Sequence, residues 1–426
     1  MVADLARRTF DYFVREVNRE SGLVRDSTKE NAPASIAGSG LALTCYVVGA
    51  VRGWLSREDA VARTLATLRF FWTAEQSDAP DATGYHGFFH HFLDVCQGQR
   101  VLECELSTID STIVFAGALA AAQYFDRDAP AEREIRELAD NLYARADWTW
   151  MLRDRIAISH GWRPQRGFLP YDWLGYNEAL LVYVLALGSP THPVPRAAYA
   201  RWLSTYRWKR LYGQEHVYGG PLFMHQLSHV WIDFRGIQDA FMREKGIDYF
   251  ENSRRATYVQ REYATRNPRG FVGYGPNAWG ISASDGPGPA SRIVRGVRRR
   301  FYDYRARGVP FGLDDGTLVP WAVAASLPFA PEIVFPALRH FSETYPTITG
   351  KYGYKCSLNP SFHARGKTGS AWISMGHYAI DQGPVVLMIE NYLSGLIWRL
   401  MRRCPYVVTG LRRAGFCGGW LDAEIR

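Results

Sequence analysis

The 426-residue chain lacks any uninterrupted apolar stretch of about 20 residues, which excludes a membrane-spanning helix from the expectations. Its six cysteines, Cys45, Cys96, Cys104, Cys356, Cys404 and Cys417, show neither CxxC spacing nor clustering with histidine, so no structural metal and no other cofactor is expected. Their even number permits disulfides without implying them. The formal charge of +8 is spread along the chain rather than gathered in a basic stripe with a recognisable module, and no nucleic-acid partner is expected. The local run Arg298, Arg299 and Arg300, beside Arg292 and Arg295, reads as solvated surface, an acidic ligand being the lesser alternative. The N-terminus passes directly into an amphipathic pattern (Leu5, Phe10, Phe13, Val14) with no apolar signal core. As written, the chain is expected in the cytoplasm, or in the periplasm or medium if a leader has been removed. Linkers are also missing, which favours one domain spanning 1–426.

The two-residue alternation of exposed strands is scarce, whereas helical periodicity recurs throughout. Helices are predicted over about 2–18, 35–54, 57–75, 106–126, 131–146, 176–188, 196–206, 226–244, 247–266, 317–326, 331–344 and 378–401. Some are apolar all round, such as 179–187, and others, such as 132–145, carry one apolar stripe. An inner and an outer ring of helices would produce this mixture, so the expected fold is all-α, an (α/α)6 barrel. Long segments rich in Gly, Pro and aromatics (76–104, 147–175, 207–224, 267–316 and 345–377) would gather at one rim and wall a cleft.

Aromatic residues make up 14% of the chain, as suits either a large core or a cleft that stacks flat rings on sugars. Carboxylates recur where loops meet apolar helices. Glu105 and Asp110 lie near the start of the helix at 106–126, where Ser107 or Thr108 can cap and the helix dipole favours anions; capping alone is the blander explanation. Glu178, in Tyr176-Asn177-Glu178-Ala179, precedes a run with no other charge, and a carboxyl against apolar walls has the raised pKa that a general acid needs. Asp381 enters its own apolar helix in the same way. Glu390, midway along that helix, reads as a buried structural ion, and Asp314-Asp315-Gly-Thr317 as a helix cap.

The segment Pro221 to Gly236 concentrates His225, His229, Trp231 and Arg235 along one predicted helix. His225 and His229 stand at i,i+4, but no HExxH glutamate accompanies them, so recognition of substrate hydroxyls is preferred to a metal site. Gly273 to Pro287, with Trp279 and Asp285, reads as a rim loop, because no strand-turn-helix context makes its glycines a dinucleotide fingerprint. Tyr176 and Trp173 complete the expected substrate-binding set.

Several motifs in this order resemble the glycoamylase-like domain shared by bacterial endo-β-1,2-glucanases and the glucan-processing domain of cyclic β-1,2-glucan synthases. They are Ser35-Ile-Ala-Gly-Ser-Gly40, Glu105-Leu-Ser-Thr-Ile-Asp110, Tyr176-Asn-Glu178-Ala, Leu187-Gly-Ser-Pro-Thr-His192-Pro, His225 to Arg235, Asp248-Tyr-Phe-Glu-Asn252-Ser-Arg-Arg255, Trp279 to Pro287 and Pro328-Phe-Ala-Pro-Glu332. The resemblance implies an (α/α)6 barrel whose cleft binds β-1,2-linked glucose, with Glu178 as general acid. It implies a base at Asp381 in some glucanases, and a nucleophile at Glu105 or Asp110 in transglycosylating branches.

The expected activity is therefore inverting, endo-acting hydrolysis of β-1,2-glucan, the partner being an oligo- or polysaccharide. A retaining transglycosylase and a non-catalytic carbohydrate binder are the alternatives. The expectation carries two structural demands. Trp173, Trp231 and Trp279 should be partly exposed on the groove that holds Glu178, and the second carboxylate should stand about 6.5–9.5 Å from Glu178 rather than about 5–5.5 Å.

Overall fold

A computed structural model describes residues 1–153, 156–363 and 370–423. Among these the helices are, in chain order, α1 (Val2–Arg15), α2 (Ile36–Val51), α3 (Arg57–Thr73), α4 (Thr108–Tyr124), α5 (Pro130–Arg145), α6 (Trp148–Met151), α7 (Leu180–Gly188), α8 (Arg196–Leu203), α9 (Ala240–Lys245), α10 (Tyr249–Arg266), α11 (Pro320–Ala325), α12 (Pro331–Thr344), α13 (Ala379–Leu393), α14 (Leu396–Arg402), α15 (Pro405–Ala414) and α16 (Gly419–Ala423). The described strands form only two- and three-stranded ribbons, so the chain is helical in class.

Burial alternates along the chain. Helices α2, α4, α7, α11 and α13 are buried over nearly their whole length, whereas α1, α3, α5, α10 and α12 bury one face and leave the other in solvent. The buried helices contact one another in sequence: α2 meets α4, α4 meets α7, and α13 meets both α11 and α2. The first helix, α1, packs on α13, so the two ends of this series come together.

The ends of the buried helices explain the position of the site. A two-residue strand, Ala34–Ser35, pairs with Phe92–Leu93 and leads into α2, whose Gly38 N–H donates to Ser35 Oγ at 3.2 Å. In the same way Leu106–Ser107 pairs with Trp162 and Gly161 and leads into α4, whose Asp110 N–H donates to Ser107 Oγ at 3.2 Å. Tyr378, at the head of α13, bridges to Ser27. Three buried helices thus open on one rim, each offering there a partly positive N-terminus.

Two glycines set how closely α2 and α4 approach. A Cβ on Gly117 would lie 2.0 Å from Gly40 O, and one on Gly40 would lie 2.6 Å from Ile113 O, so backbone meets backbone and only glycine fits.

Three predicted helices differ in the structure. Over 226–244 the chain forms 3-10 turns, Leu222–His225 and Leu227–Val230, then an irregular link, and only then α9. Side-chain bonds hold it so: Gln226 Nε2 donates to Ala322 O (2.6 Å) and Ser326 Oγ (2.7 Å), and Ser228 Oγ to Glu178 O (3.0 Å), leaving tertiary partners to decide the backbone path. The segment 378–401 breaks at Gly395, whose φ of +67° suits glycine, into α13 and α14. Residues 176–179 form a turn ahead of α7 rather than its first coil. Nor are Asp314 and Asp315 helix caps: Asp314 accepts from Tyr263 and Tyr274, and Asp315 pairs with Arg307. Glu390 is the buried ion expected, held by Arg52 at 2.8 and 3.0 Å.

Candidate functional site

The rim onto which α2, α4 and α13 open holds a cavity of about 620 Å³ lined by Asp110, Glu178 and Asp381 together with Phe223, Gln226, Tyr304 and Trp321. It continues into a wider cleft of about 1270 Å³ through shared walls at Ile109, Asp110, Tyr304 and Ile380, and that cleft adds Asp26, Lys29, His91 and Tyr378. Three of the four carboxylates expected from sequence therefore face one space. Each comes from a different buried element. Asp110 sits in the first turn of α4, Asp381 in the first turn of α13, and Glu178 in the turn before α7.

Glu178 is half-buried, and its Oε2 is shut off from solvent without a hydrogen-bond partner among the described residues. Desolvation, reinforced by the negative charge of Asp110, pushes its carboxyl up to about 7. Near neutral pH it therefore holds a proton that it can deliver. Among the described residues, and apart from the Cys356 thiol, neither carboxylate oxygen of the fully buried Asp381 has a hydrogen-bond partner either. Burial first, and then the charges of Asp26 and Asp285, raise its pKa well above the carboxylate range, against the lowering effect of the Cys356 thiol beside it. Pro384, one turn on, has no N–H for the Ile380 carbonyl, and both residues line the cavity. An unpartnered acceptor costs about 1–3 kcal/mol, and such atoms in a cavity wall are complementary to a polar ligand.

Glu105 is one step removed from this cavity. Its Oε1 lies 3.0 Å from His91 Nδ1 and its Oε2 lies 3.6 Å from Arg163. Burial opposes ionisation there, but His91 and Arg163 overcome it and hold the carboxyl at about 2. Asp110 Oδ2 accepts from Ser107 Oγ at 2.5 Å and lies 3.7 Å from His91 Nε2.

The expected substrate-binding residues divide sharply. Tyr176 is almost buried, stacked on Tyr249 with centroids 5.8 Å apart, and its edge lines a separate recess with Arg207, Tyr218 and Met224. Asp285 lies behind the cleft wall, where it accepts from Ser374 Oγ (3.0 Å) and pairs with Lys29 (3.1 Å). The three tryptophans are not exposed on the groove. Trp231 is wholly buried with Nε1 donating to Thr44 Oγ1 of α2, Trp279 is wholly buried in an apolar cluster with Leu222, Val323 and Ile389, and Trp173 stacks on His160 at 3.7 Å. A ring with no accessible face cannot stack on a sugar, so these three belong to the core.

His225 and His229 are buried as well, the first against Gly219 O (3.0 Å) and the second against Ser253 Oγ (3.0 Å). Burial pulls both below the ordinary histidine range, to about 3. Neither lines the cavity; Phe223, Gln226 and Leu227 of the same segment do. Arg235 is misplaced most of all. It is bound to Asp233 at 2.8 and 2.7 Å and shares a surface recess with Asn391 and Tyr392, at the C-terminal end of α13. Asp381 stands at the other end, about ten residues away, or roughly 15 Å along the helix.

Sequence reasoning missed Asp26, Lys29, His91, Tyr304 and Tyr378. The pair His90-His91 inside an aromatic loop was a usable signal for one of them; the others carry none.

Residues 170–405 match the glycoamylase family, described as "Putative glucoamylase". An exo-β-1,2-glucooligosaccharide sophorohydrolase acting at the non-reducing end, from Parabacteroides distasonis, is 27% identical over 95% of this chain, which spans only 56% of that relative's length. A crystal structure from Bacteroides uniformis bearing the same family description superposes with a TM-score of 0.86 at 32% identity, covering 98% of this chain and 97% of the other. An endo-β-1,2-glucanase from Chitinophaga pinensis, crystallised with sophorotriose and glucose, superposes with a TM-score of 0.85 at 27% identity, covering 98% of both chains. With more than half of its residues matched by the family's pattern and a relative sharing its fold end to end, this chain belongs to the glycoamylase family.

Proposed function

We propose that the chain is a glycoside hydrolase that cleaves β-1,2-glucan internally with inversion, using Glu178 as general acid and Asp381 as general base, on a single-domain (α/α)6 barrel. One observation carries the chemistry: Glu178 and Asp381, on two different buried elements, line one cavity, and Glu178 Oε2 and both oxygens of Asp381 have no nitrogen or hydroxyl partner among the described residues. The alternation of one-faced and fully buried helices supports the barrel, the 3-10 turns at 222–230 taking the place of one inner helix. The relatives named for β-1,2-glucan hydrolysis support the substrate.

In this mechanism Glu178 gives its proton to the glycosidic oxygen as the bond from that oxygen to the anomeric carbon breaks. A water attacks the anomeric carbon from the opposite face, and its proton passes to Asp381, directly or through a substrate hydroxyl. Asp381 must be ionised to accept it. Hydrogen bonds from that water or from sugar hydroxyls favour its charged form and offset the desolvation that raises its pKa.

Asp110 favours a second reading. It lines the same cavity and its charge is felt by Glu178, so a retaining transglycosylase with Asp110 as nucleophile has a concrete candidate. Incubation with linear β-1,2-, β-1,3- and α-1,4-glucans, with product sizes followed in time, tests substrate and action pattern together. Early formation of mid-length oligosaccharides from the β-1,2-glucan alone is the expected result; disaccharide as the sole early product overturns endo action, and turnover of another linkage instead overturns the substrate.

A further inference from the structure

His91 enters the cleft from the loop that precedes α4 and is held on every side. Its backbone N–H donates to Glu105 O (3.0 Å), its carbonyl accepts from Ile36 N (3.3 Å), and its ring stacks on Phe92 with centroids 3.9 Å apart and planes 14° apart. The two ring nitrogens both face carboxylates: Nδ1 lies 3.0 Å from Glu105 Oε1 and Nε2 lies 3.7 Å from Asp110 Oδ2. A neutral imidazole has one N–H to offer, whereas the imidazolium has two. The arrangement fits the cation. The chain of contacts continues outward from Glu105 to Arg163 (3.6 Å) and inward from Asp110 to Ser107 Oγ (2.5 Å), so the ring is the central link of a row of alternating charges that ends beside Glu178.

We infer that His91 is a positioning residue for the proposed hydrolysis: as an imidazolium clamped between Glu105 and Asp110, it fixes the Asp110 carboxylate in the cavity wall and offsets the charge that Asp110 presents to Glu178. The inference rests on Glu178 being the acid. The groups facing His91 are Asp110 from α4, Glu105 from the loop just ahead of the Leu106–Ser107 strand and Asp26 from the N-terminal loop, with Arg163 and Lys29 as the next charges outward. Burial alone would strip the ring of its proton, but Asp110, Glu105 and Asp26 outweigh it and hold His91 at about 9. Asp26 itself is pushed up to about 6, by burial first and by Asp110, against the pull of His91 and Lys29. Because Asp110 raises the Glu178 carboxyl, a cation beside Asp110 keeps that rise in check, and the acid stays matched to neutral pH.

The test uses the full chain and its pH–rate profile on β-1,2-glucan. His91→Gln is expected to lower kcat about 10- to 100-fold with KM within about threefold, and to move the alkaline limb up by about one pH unit. His91→Lys, which keeps a cation, is expected to hold the limb at its wild-type position. A limb that stays put in His91→Gln, or that moves equally in His91→Lys, overturns the proposal. Histidine NMR gives a readout without turnover and without a His91 variant. In the wild type one imidazole should titrate near pH 9, and in Asp110→Asn that midpoint should fall by about one unit. Absence of any histidine titrating above pH 8 also overturns it, whereas a midpoint near 9 in a protein that leaves every glucan uncut retains the clamp and sinks the hydrolase.

Discussion

Arg307 and Asp315 form a two-pronged ion pair with no solvent access to either side chain, Nε to Oδ1 at 2.8 Å and Nη2 to Oδ2 at 2.9 Å. The same guanidinium donates to the carbonyls of Ser284 (2.7 Å), Tyr302 (3.1 Å) and Asp303 (3.0 Å), and Asp315 accepts from the Tyr302 N–H (3.0 Å). Every nitrogen of the buried cation thereby has a partner, and the strand that leads to Tyr304, a wall of both the cavity and the cleft, is pinned from behind. Removing one partner leaves an uncompensated charge, so Asp315→Asn and Arg307→Met should each cost about 3–5 kcal/mol in denaturant unfolding. The double variant should cost less than the sum, as for residues in one network. Additive losses would mean that the pair is not the unit described.

Replacing Glu178 by Gln should leave the far-UV circular dichroism unchanged and lower turnover of β-1,2-glucan by about three orders of magnitude or more, because protonation of a sugar leaving group is a large share of the barrier. Activity within about tenfold of wild type would remove Glu178 from the role of acid.

The same carboxyl sets two pH dependences. With its pKa at about 7, turnover should fall as pH rises through 7, since the acid is then unprotonated. For stability the sign is also negative with rising pH. The folded value lies above the unfolded one, so the folded state keeps the proton that the unfolded state loses; the contribution is complete below the unfolded pKa and is lost as pH climbs through about 7. Glu178→Gln should therefore melt higher relative to wild type at pH 8 than at pH 5, by on the order of a few degrees in thermal unfolding. An equal difference at both values would contradict the raised pKa.

Stereochemistry separates the two candidates for the second carboxylate. If Asp381 is the base, NMR of early products should detect the α-anomer at the new reducing end, and Asp381→Asn should abolish turnover in a way that azide does not rescue. If Asp110 is a nucleophile, the β-anomer appears first and Asp110→Gly is the variant that azide revives.

How far the sequence carried these conclusions can be judged residue by residue. Ser107 caps α4 as expected, and Glu178 and Asp381, lone charges at the mouths of apolar elements, do line the cavity. Local chemistry decides such positions. Trp231 and Trp279 went the other way, since a ring buried among inner helices and a ring lining a cleft leave the same mark in a sequence, and only packing separates them. Arg235 failed for a related reason: on a continuous helix it would have shared a face with its neighbours, but the 3-10 turns at 222–230 carry it to the far end of α13. The predicted helix at 378–401 runs α13 and α14 together, and no predicted helix falls on α15 or α16. Asp26 and Lys29 come from an irregular loop whose place in the cleft depends on Ser27 pairing with Tyr378, more than 300 residues away.

The contact of Gly40 with Gly117 bears on how this site could change in evolution or by design. Where α2 and α4 touch through main-chain atoms, there is no side chain to trim and no room to add one. The aperture between those two helices is thus a constant of the scaffold, and even a methyl group there would push apart the elements that aim Asp110. New preferences for substrate length or branching have to be written in the side chains that wall the cleft elsewhere, such as Tyr304, Tyr378 and Lys29.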